Sequence, residues 1–417
     1  MANTIFSPYT LTNGAIIANR LVKAAMEENL ANVQQQPDQA LFNLYDAWAK
    51  GGVGLMITGN VMIDPLAMTG PGGVVLTSSS ALEPFIQWAK IAKQNNARVW
   101  MQINHPGRQV FKAMGGKNIA PSAVALDLGK HSSMFSQPKA MTTTDLDDVI
   151  QRFVTTASMA QQAGFDGVQV HAAHGYLLAQ FLSPLTNQRD DEWGASLENR
   201  ARLLIEVVKQ IRHKCGADFD IAVKLNSADF QRGGFDVDDA EKVINMLAPH
   251  QVEMVELSGG SYEAPAMQGR SADERTLARE AYFLHLTAQL VLRSPIALML
   301  TGGIYRLPVA QQVVDAGFAL CGIASALAFY PDLAKIWRSK PEFTPAMPTV
   351  NWQSKPLAGL ATMAIIKRQL RRISQGKHPQ INDSPIWSLL VDQFNTRQRT
   401  KRYRYGLGLS NDQHVND

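Results

Sequence analysis

Cysteine is almost absent from this 417-residue chain, and the shortage removes two classes of protein. Cys215 and Cys321 stand far apart, and neither has a Cys-x-x-Cys partner. A disulfide framework is therefore excluded, as is a cysteine-ligated iron–sulfur cluster, which needs about four thiolates. Both thiols read as structural, Cys215 at a helix end and Cys321 in a buried strand. Long apolar runs are also missing. No stretch reaches the roughly 18 uninterrupted apolar residues of a membrane-spanning helix. The start, Met1-Ala2-Asn3-Thr4-Ile5-Phe6, lacks the basic and apolar regions of a secretory signal, so the expected compartment is the cytoplasm. Nor is there an excess of one charge. The 40 basic and 36 acidic side chains leave +4, too little to imply a nucleic-acid partner.

What is present is an ordinary globular balance, 46% apolar and 18% charged, enough for a large core. Short apolar runs alternate with helix-period segments from about residue 20 to residue 340. Strands are expected at Leu21–Ala25, Val53–Thr58, Arg98–Ile103, Gly167–Val170, Asp220–Leu225, Met254–Leu257, Ile296–Leu300 and Ala319–Ile323. Several are nearly continuous in apolar residues, as parallel strands buried on both faces should be. Helical patterns lie between them: Asp38–Lys50, Ser80–Gln94, Asp145–Ala163, Leu197–His213, Val237–Leu247, Arg279–Leu292 and Leu307–Ala316. Thr144 with Asp147 reads as a capping box, Ser196 as an N-cap, and Gly164 and Gly317 as left-handed helix ends.

Eight strand–helix units in strict alternation predict an α/β fold, a (β/α)₈ TIM barrel over residues 1–345. Gly107–Met141 is longer than an ordinary strand–helix connection and reads as a rim insertion. Residues 346–417 read as a helical extension, Leu357–Ser374 and Pro385–Phe394, packed on the barrel or at a subunit interface. It ends in the basic, aromatic stretch Arg397–Tyr405, read as a solvated helix end or subunit contact in preference to a nucleic-acid or lipid site. A homo-oligomer is compatible with that reading.

The fourth strand ends in Val168-Gln169-Val170-His171-Ala172-Ala173-His174-Gly175-Tyr176. Residues at the C-terminal ends of barrel strands face the active site. Two imidazoles there can donate to one carbonyl oxygen as charge develops on it, and a nearby phenol can protonate the adjacent carbon. His-x-x-His also supplies metal ligands, so spacing alone leaves metal, oxyanion donors and structural histidines open. Small residues after strands seven and eight, Thr301-Gly302-Gly303-Ile304 and Gly322-Ile323-Ala324-Ser325-Ala326, let backbone N–H groups approach a phosphate. Lys224, in an apolar strand, needs a partner, either a carboxylate such as Asp229 or an anionic ring or phosphate in the mouth. Gln102 closes the third strand with donors and an acceptor suited to a heterocycle's imide edge, or serves as a structural polar residue.

Taken together these segments resemble the Old Yellow Enzyme family of FMN-dependent ene-reductases over most of residues 5–335. The likeness is densest in Asn19-Arg20-Leu21-Val22-Lys23-Ala24-Ala25-Met26, Gln102–Gln109, His171–Tyr176, the run from Phe181 through Trp193-Gly194, and Ser196-Leu197-Glu198-Asn199-Arg200. The resemblance implies FMN across the mouth, with Ala25, Met26 and Asn60 against the ring, Gln102 at its pyrimidine edge and Lys224 near N1. It places Gly302, Gly303, Ala324 and Ser325 at the phosphate. It also implies that His171 and His174 bind the substrate's electron-withdrawing oxygen, that Tyr176 donates the proton, and that Tyr262 lines the pocket. NADH or NADPH reduces the flavin and leaves, and an electrophilic alkene, an α,β-unsaturated carbonyl or nitro compound, takes hydride in a ping-pong cycle.

The chain departs from the family pattern at three positions. Glu27 stands where Thr or Cys usually donates to the flavin, and an ionised carboxylate only accepts. A charge there implies a low flavin potential, or a raised Glu27 pKa. Ala324-Ser325 replaces a Gly-Arg pair, and Lys224 replaces an arginine fork. Two rival readings follow, a metal-dependent barrel lyase or hydrolase using His171 and His174, and a flavin-binding protein with impaired catalysis. The related dienoyl-CoA reductases carry a cysteine-bound cluster and further domains, which two cysteines and 417 residues exclude.

Overall fold

The computed structural model describes residues 4–266, 281 and 283–409. Its centre is a closed barrel of eight parallel strands: β1 Leu21–Lys23, β2 Leu55–Ile57, β3 Arg98–Asn104, β4 Gly167–Ala172, β5 Asp220–Asn226, β6 Met254–Ser258, β7 Leu298–Thr301 and β8 Leu320–Ile323. Each strand pairs with its sequence neighbours, and β8 returns to β1 through Gly322↔Val22, leaving no open edge. A helix follows each strand: α1 Gln39–Gly51, α2 Glu83–Ala92, α3 Thr143–Gln162, α4 Leu197–Cys215, α5 Val237–Leu247, α6 Leu284–Arg293, α7 Leu307–Asp315 and α8 Leu333–Ser339. The expected (β/α)₈ architecture is present.

Alternation along the strands sorts two cores. Residues such as Val22, Leu55, Trp100, Ala222, Met254 and Leu320 fill the barrel interior. The larger cluster, with Trp48, Trp88, Phe153, Val207 and Trp337, lies between strands and helices. A hairpin, Tyr9–Thr10 with Ile16–Ile17, closes the bottom, adding Leu11 and Ile17 to the interior. Asp220 ties that end together. Its fully buried carboxylate accepts from Asn13 (2.7 Å), from Arg98 Nη2 (2.7 Å) and from the Trp100 indole (2.8 Å).

The rim is built above β3. Val61–Met62 and Val74–Val75 extend the sheet beside it, and within 107–141 Ile119–Ala120 pairs with Lys139–Ala140. Phe111 and Phe135 stack at 4.6 Å. Beyond the barrel, α9 (Lys355–Ser374) packs on α1 and against α10 (Pro385–Gly406). The basic stretch is part of α10, which continues twelve residues past the expected end at Phe394. Its Tyr403 is buried with Met62, Met68, Val110 and Met114, and the phenol donates to Pro65 O at 2.8 Å. Among the described residues no helix is long and apolar enough to cross a membrane.

Local readings are corrected in three places. The capping box is Thr142 with Asp145, two residues earlier than Thr144 with Asp147, because Thr142 takes the extended backbone that lets its hydroxyl accept from Asp145 N–H. The second helix begins at Glu83, with Pro84 in its first turn, since Ser80 closes a turn through Thr77 O. The helix expected from Arg279 is described from Leu284, and Arg279 lies outside the described residues. Ser196 does cap α4, and Gly164 and Gly317 have φ of 85° and 99°. Burial raises both thiols, Cys215 to about 11.

Removing the Asp220 carboxylate leaves the Trp100 indole N–H unpaired at the barrel floor and the Arg98 guanidinium with only Asp166, 3.9 Å away. Asp220→Ala is expected to lower the unfolding free energy by about 3 kcal/mol or more, read as a drop in the urea midpoint. A change within about 1 kcal/mol would count against this anchoring role.

Candidate active site

The site forms where β4 ends. His171 is the penultimate residue of the strand, opposite Lys224 in register. The chain then takes two successive left-handed residues, His174 (φ 61°) and Gly175 (φ 71°), and turns back. A Cβ on Gly175 would come within 2.9 Å of Ser261 Cβ, so the turn is both left-handed and tightly packed. The reversal gathers the three side chains read from the sequence. Ring centroids are 5.0 Å apart for His171 and His174, 4.8 Å for His171 and Tyr176, and 6.5 Å for His174 and Tyr176.

Each imidazole is oriented by a bond to its neighbours. His171 Nδ1 accepts from Ala173 N–H at 3.2 Å, which places the neutral ring's proton on Nε2. His174 Nε2 lies 2.7 Å from Ser258 Oγ, its backbone N–H donates to Asn226 Oδ1, and its carbonyl accepts from Gln109. Burial holds both imidazoles well below their usual range, and the Lys224 cation pushes the same way. They are neutral N–H donors at pH 7. Among the described residues no cluster of three or more His, Cys, Asp or Glu side chains surrounds the pair in a way that could hold a metal ion.

Burial drives the Tyr176 phenol well above its ordinary value, and the adjacent Tyr262 phenol and Glu27 charge add to the shift. The two phenol oxygens are 3.4 Å apart, and burial and the Glu27 charge raise Tyr262 as well, with the bond to Tyr176 opposing the shift. Phe135 of the rim packs on Tyr262, with ring centroids 6.3 Å apart. Asn60 lies near enough to Tyr176 to offset part of that phenol's rise, while its own carbonyl oxygen is buried without a partner.

Glu27 reaches the mouth because Glu28 is drawn inward. Glu28 Oε1 accepts from the Tyr45 phenol (2.7 Å), Gly59 N–H (3.2 Å) and the fully buried Lys23 ammonium (3.4 Å). Alternation then leaves Glu27 on the opposite side, where its carboxylate accepts from the Thr69 hydroxyl. The chain can pack so closely because residue 59 is glycine. A Cβ there would lie 1.9 Å from Glu28 Oε2 and 2.3 Å from Met26 O.

Below the imidazoles lies a polar layer that the sequence showed only in part. Gln102 Nε2 donates to Gln169 Oε1 at 2.6 Å, Gln169 Nε2 donates to Glu256 Oε2 at 2.6 Å, and Lys224 Nζ donates to Glu256 Oε1 at 2.8 Å. The Gln169–Glu256 bond skips β5 and so crosses the barrel interior. Lys224's carboxylate partner is thus Glu256, not Asp229, which serves Asn226 and Phe235 N–H instead. Sequence reading missed Gln169, Asn226, Glu256 and Ser258. The available signal was period two: each is a polar residue in a strand, two positions from another inward polar residue.

Around this layer Ala25, Met26, Glu27 and Asn60 after β1 and β2, and Gly302, Gly303, Ala324 and Ser325 after β7 and β8, are all half-buried. Gly302 and Gly303 have φ of 145° and 67°, backbone that other residues rarely adopt. Several polar atoms nearby are buried with no partner in the protein: both amide atoms of Asn104, Gln109 Oε1 and Thr301 Oγ1. A mouth floored by small residues and ringed by unsatisfied donors and acceptors fits a flat heteroaromatic group bearing a phosphate.

His105 is also buried and is held down to about 4, chiefly by desolvation. In the unfolded chain His105, His171 and His174 protonate below about 6.5, while in the folded protein they stay neutral. The unfolded state therefore binds more protons as pH falls through that value, and stability falls with it. The thermal midpoint is expected to drop between pH 7 and pH 5. A midpoint constant over that range would contradict the buried neutral imidazoles.

The sequence profile of the NADH:flavin oxidoreductase / NADH oxidase family matches residues 4–336, a span holding all eight strands and every mouth residue named above. An NADH-dependent flavin oxidoreductase of Hypocrea jecorina is 32% identical over 350 residues, covering 79% of this chain and 87% of that protein. An NADPH dehydrogenase of Clostridium acetobutylicum is 32% identical over 269 residues, 63% of this chain and 75% of that one. Among solved structures, a 2-naphthoyl-CoA reductase complex superposes with a TM-score of 0.74 at 26% identity, covering 81% of this chain and 52% of that one, so this chain spans about half its length. An Old Yellow Enzyme homologue from Zymomonas mobilis shares the fold, with a TM-score of 0.70 at 23% identity over 82% and 94% of the two chains. By sequence, barrel and mouth alike, the chain belongs to the NADH:flavin oxidoreductase / NADH oxidase family of FMN-dependent oxidoreductases.

Proposed function

We propose that this protein is an ene-reductase, which takes reducing equivalents from NADH or NADPH and reduces the activated C=C bond of α,β-unsaturated carbonyl or nitro compounds. The observation that carries the reading is one cluster holding two neutral imidazole donors and a protonated phenol. That set suits an acceptor oxygen that gains charge while the neighbouring carbon takes a proton.

FMN held in this mouth would supply the hydride-transfer chemistry between nicotinamide and alkene. The chain's own part is to bind, orient and protonate. Gln102, Lys224, Ala25, Met26 and Asn60 are assigned to the ring, and Gly302, Gly303, Ala324 and Ser325 to the phosphate. His171 and His174 hold the substrate's oxygen. Neutral donors suit this task, because they stabilise the developing charge without binding a resting anion tightly. Tyr176 delivers its proton to the α-carbon, with the Tyr262 hydroxyl beside it to donate to the phenolate oxygen left behind.

Tyr176→Phe tests the reading. The alkene-reducing half-reaction is expected to slow by about 10²-fold or more, while reduction by NAD(P)H stays within a few-fold. Because the phenol is held above its usual value and the imidazoles below theirs, the wild-type half-reaction is expected to be flat from pH 6 to pH 9. Equal alkene rates for wild type and Tyr176→Phe in stopped-flow mixing would sink the assignment.

Glu27 sets a second expectation. A carboxylate between Thr69 and the two phenols places negative charge at the mouth, where it disfavours the reduced, more anionic cofactor. Glu27→Thr is expected to raise the potential of bound FMN by about 30 mV or more. An unchanged potential would show that the carboxylate does not act on the ring.

A further inference from the structure

Four polar side chains cross the barrel interior in one direction, and that direction has a single source. Gln102, Gln169, Lys224 and Glu256 are each less than 5% exposed, so water does not serve them. The Glu256 carboxylate, facing the Lys224 ammonium at 2.8 Å, accepts at both oxygens and has nothing to donate. At 2.6 Å from Glu256, Gln169 must therefore present its NH₂ end. A primary amide has its donors on one side and its acceptor on the other, so the Gln169 carbonyl is turned to Gln102. Gln102 must answer with its own NH₂, as the 2.6 Å bond records.

We propose that Glu256 is a positioning residue for cofactor binding: through Gln169 it dictates which end of the Gln102 amide is left for the barrel mouth. The end left over is the Gln102 carbonyl oxygen with one N–H. An imide edge carries an N–H donor beside carbonyl acceptors, and it needs the complementary acceptor and donor from the protein. Reversing the chain would set the Gln169 carbonyl against the Glu256 carboxylate and turn the Gln102 NH₂ toward the imide N–H, donor against donor. The proposal rests on the reading of Gln102 as the contact to that edge, and it assigns roles to two residues that do not themselves touch the ring.

The same bonds have a second consequence. Glu256 counterbalances Lys224, so the mouth receives a paired cation and not a free one. A role confined to holding strands together would leave both the cofactor's affinity and its potential where they are.

The test is a double-mutant cycle on the full-length holoenzyme, reading FMN release by fluorescence on serial dilution. Gln169→Met cuts the chain but keeps its volume, and Gln102→Ala removes the proposed contact. Each is expected to raise the FMN Kd about tenfold, the worth of one well-oriented hydrogen bond. The double variant should bind no more weakly than Gln102→Ala alone, since orienting an absent amide is worth nothing. Multiplicative losses in the double variant, or no loss in Gln169→Met, would overturn the relay while leaving Gln102 as a contact. No loss in Gln102→Ala would instead overturn the reading beneath it. Glu256→Gln provides an independent arm. It lets the chain reverse and frees the Lys224 charge, so FMN affinity should fall and the flavin potential should rise. An unchanged potential in a folded Glu256→Gln protein would count against the proposal, and if that variant does not fold, the Gln169 cycle decides alone.

Discussion

An ammonium and a carboxylate facing each other inside a closed barrel constrain everything above them. Lys224 and Glu256 are taken out of water, so each must satisfy the other and spend its remaining capacity on neighbours. Glu256's second oxygen fixes Gln169, and Lys224 projects its charge onto the two imidazoles one layer higher. The mouth therefore stands on a polar layer whose geometry is set by strand register, the most rigid feature the fold has. Sites supported by strands in this way are held more closely than sites built on loops.

The layers divide the work. At the bottom, Asp220 gathers Asn13, Arg98 and Trp100 and seals the barrel. In the middle, the amides and the ion pair order one another. At the top, the left-handed turn at His174 and Gly175 swings two imidazoles and a phenol into one cluster, and Asn226 and Ser258 from the next two strands hold His174 in place. The residues proposed to bind and protonate the substrate sit on the last layer, and the first two give it a fixed frame.

Much of this was legible in the sequence. Eight apolar runs announced the strands because burial on both faces leaves few polar residues to confuse the pattern. The His171–Tyr176 cluster was legible because all three residues lie within six positions of one strand end. The polar layer was not, since it joins residues 67, 87 and 32 positions apart, and a lone Gln169 or Glu256 carries no mark of its partner. Lys224 showed this limit most clearly. Its need for a counter-charge was read correctly, but Asp229, close in sequence, was a poorer guide than Glu256, adjacent in register on the neighbouring strand. Helix starts were off by a few residues where competing turns, as at Thr77–Ser80, used the residues first. The inward turn of Glu28 and outward turn of Glu27 followed from Lys23 and Tyr45, contacts between elements that no local pattern reveals.

Tyr403, near the far end of the chain, bonds a carbonyl 338 residues earlier, at Pro65. Four residues beyond that carbonyl is Thr69, which grips Glu27. The last helix is thus a strut braced on the segment that holds Glu27 beside Tyr176 and Tyr262. Displacement of this distal helix would therefore reach the Glu27 carboxylate through the Pro65–Thr69 segment, a path that bypasses the barrel strands.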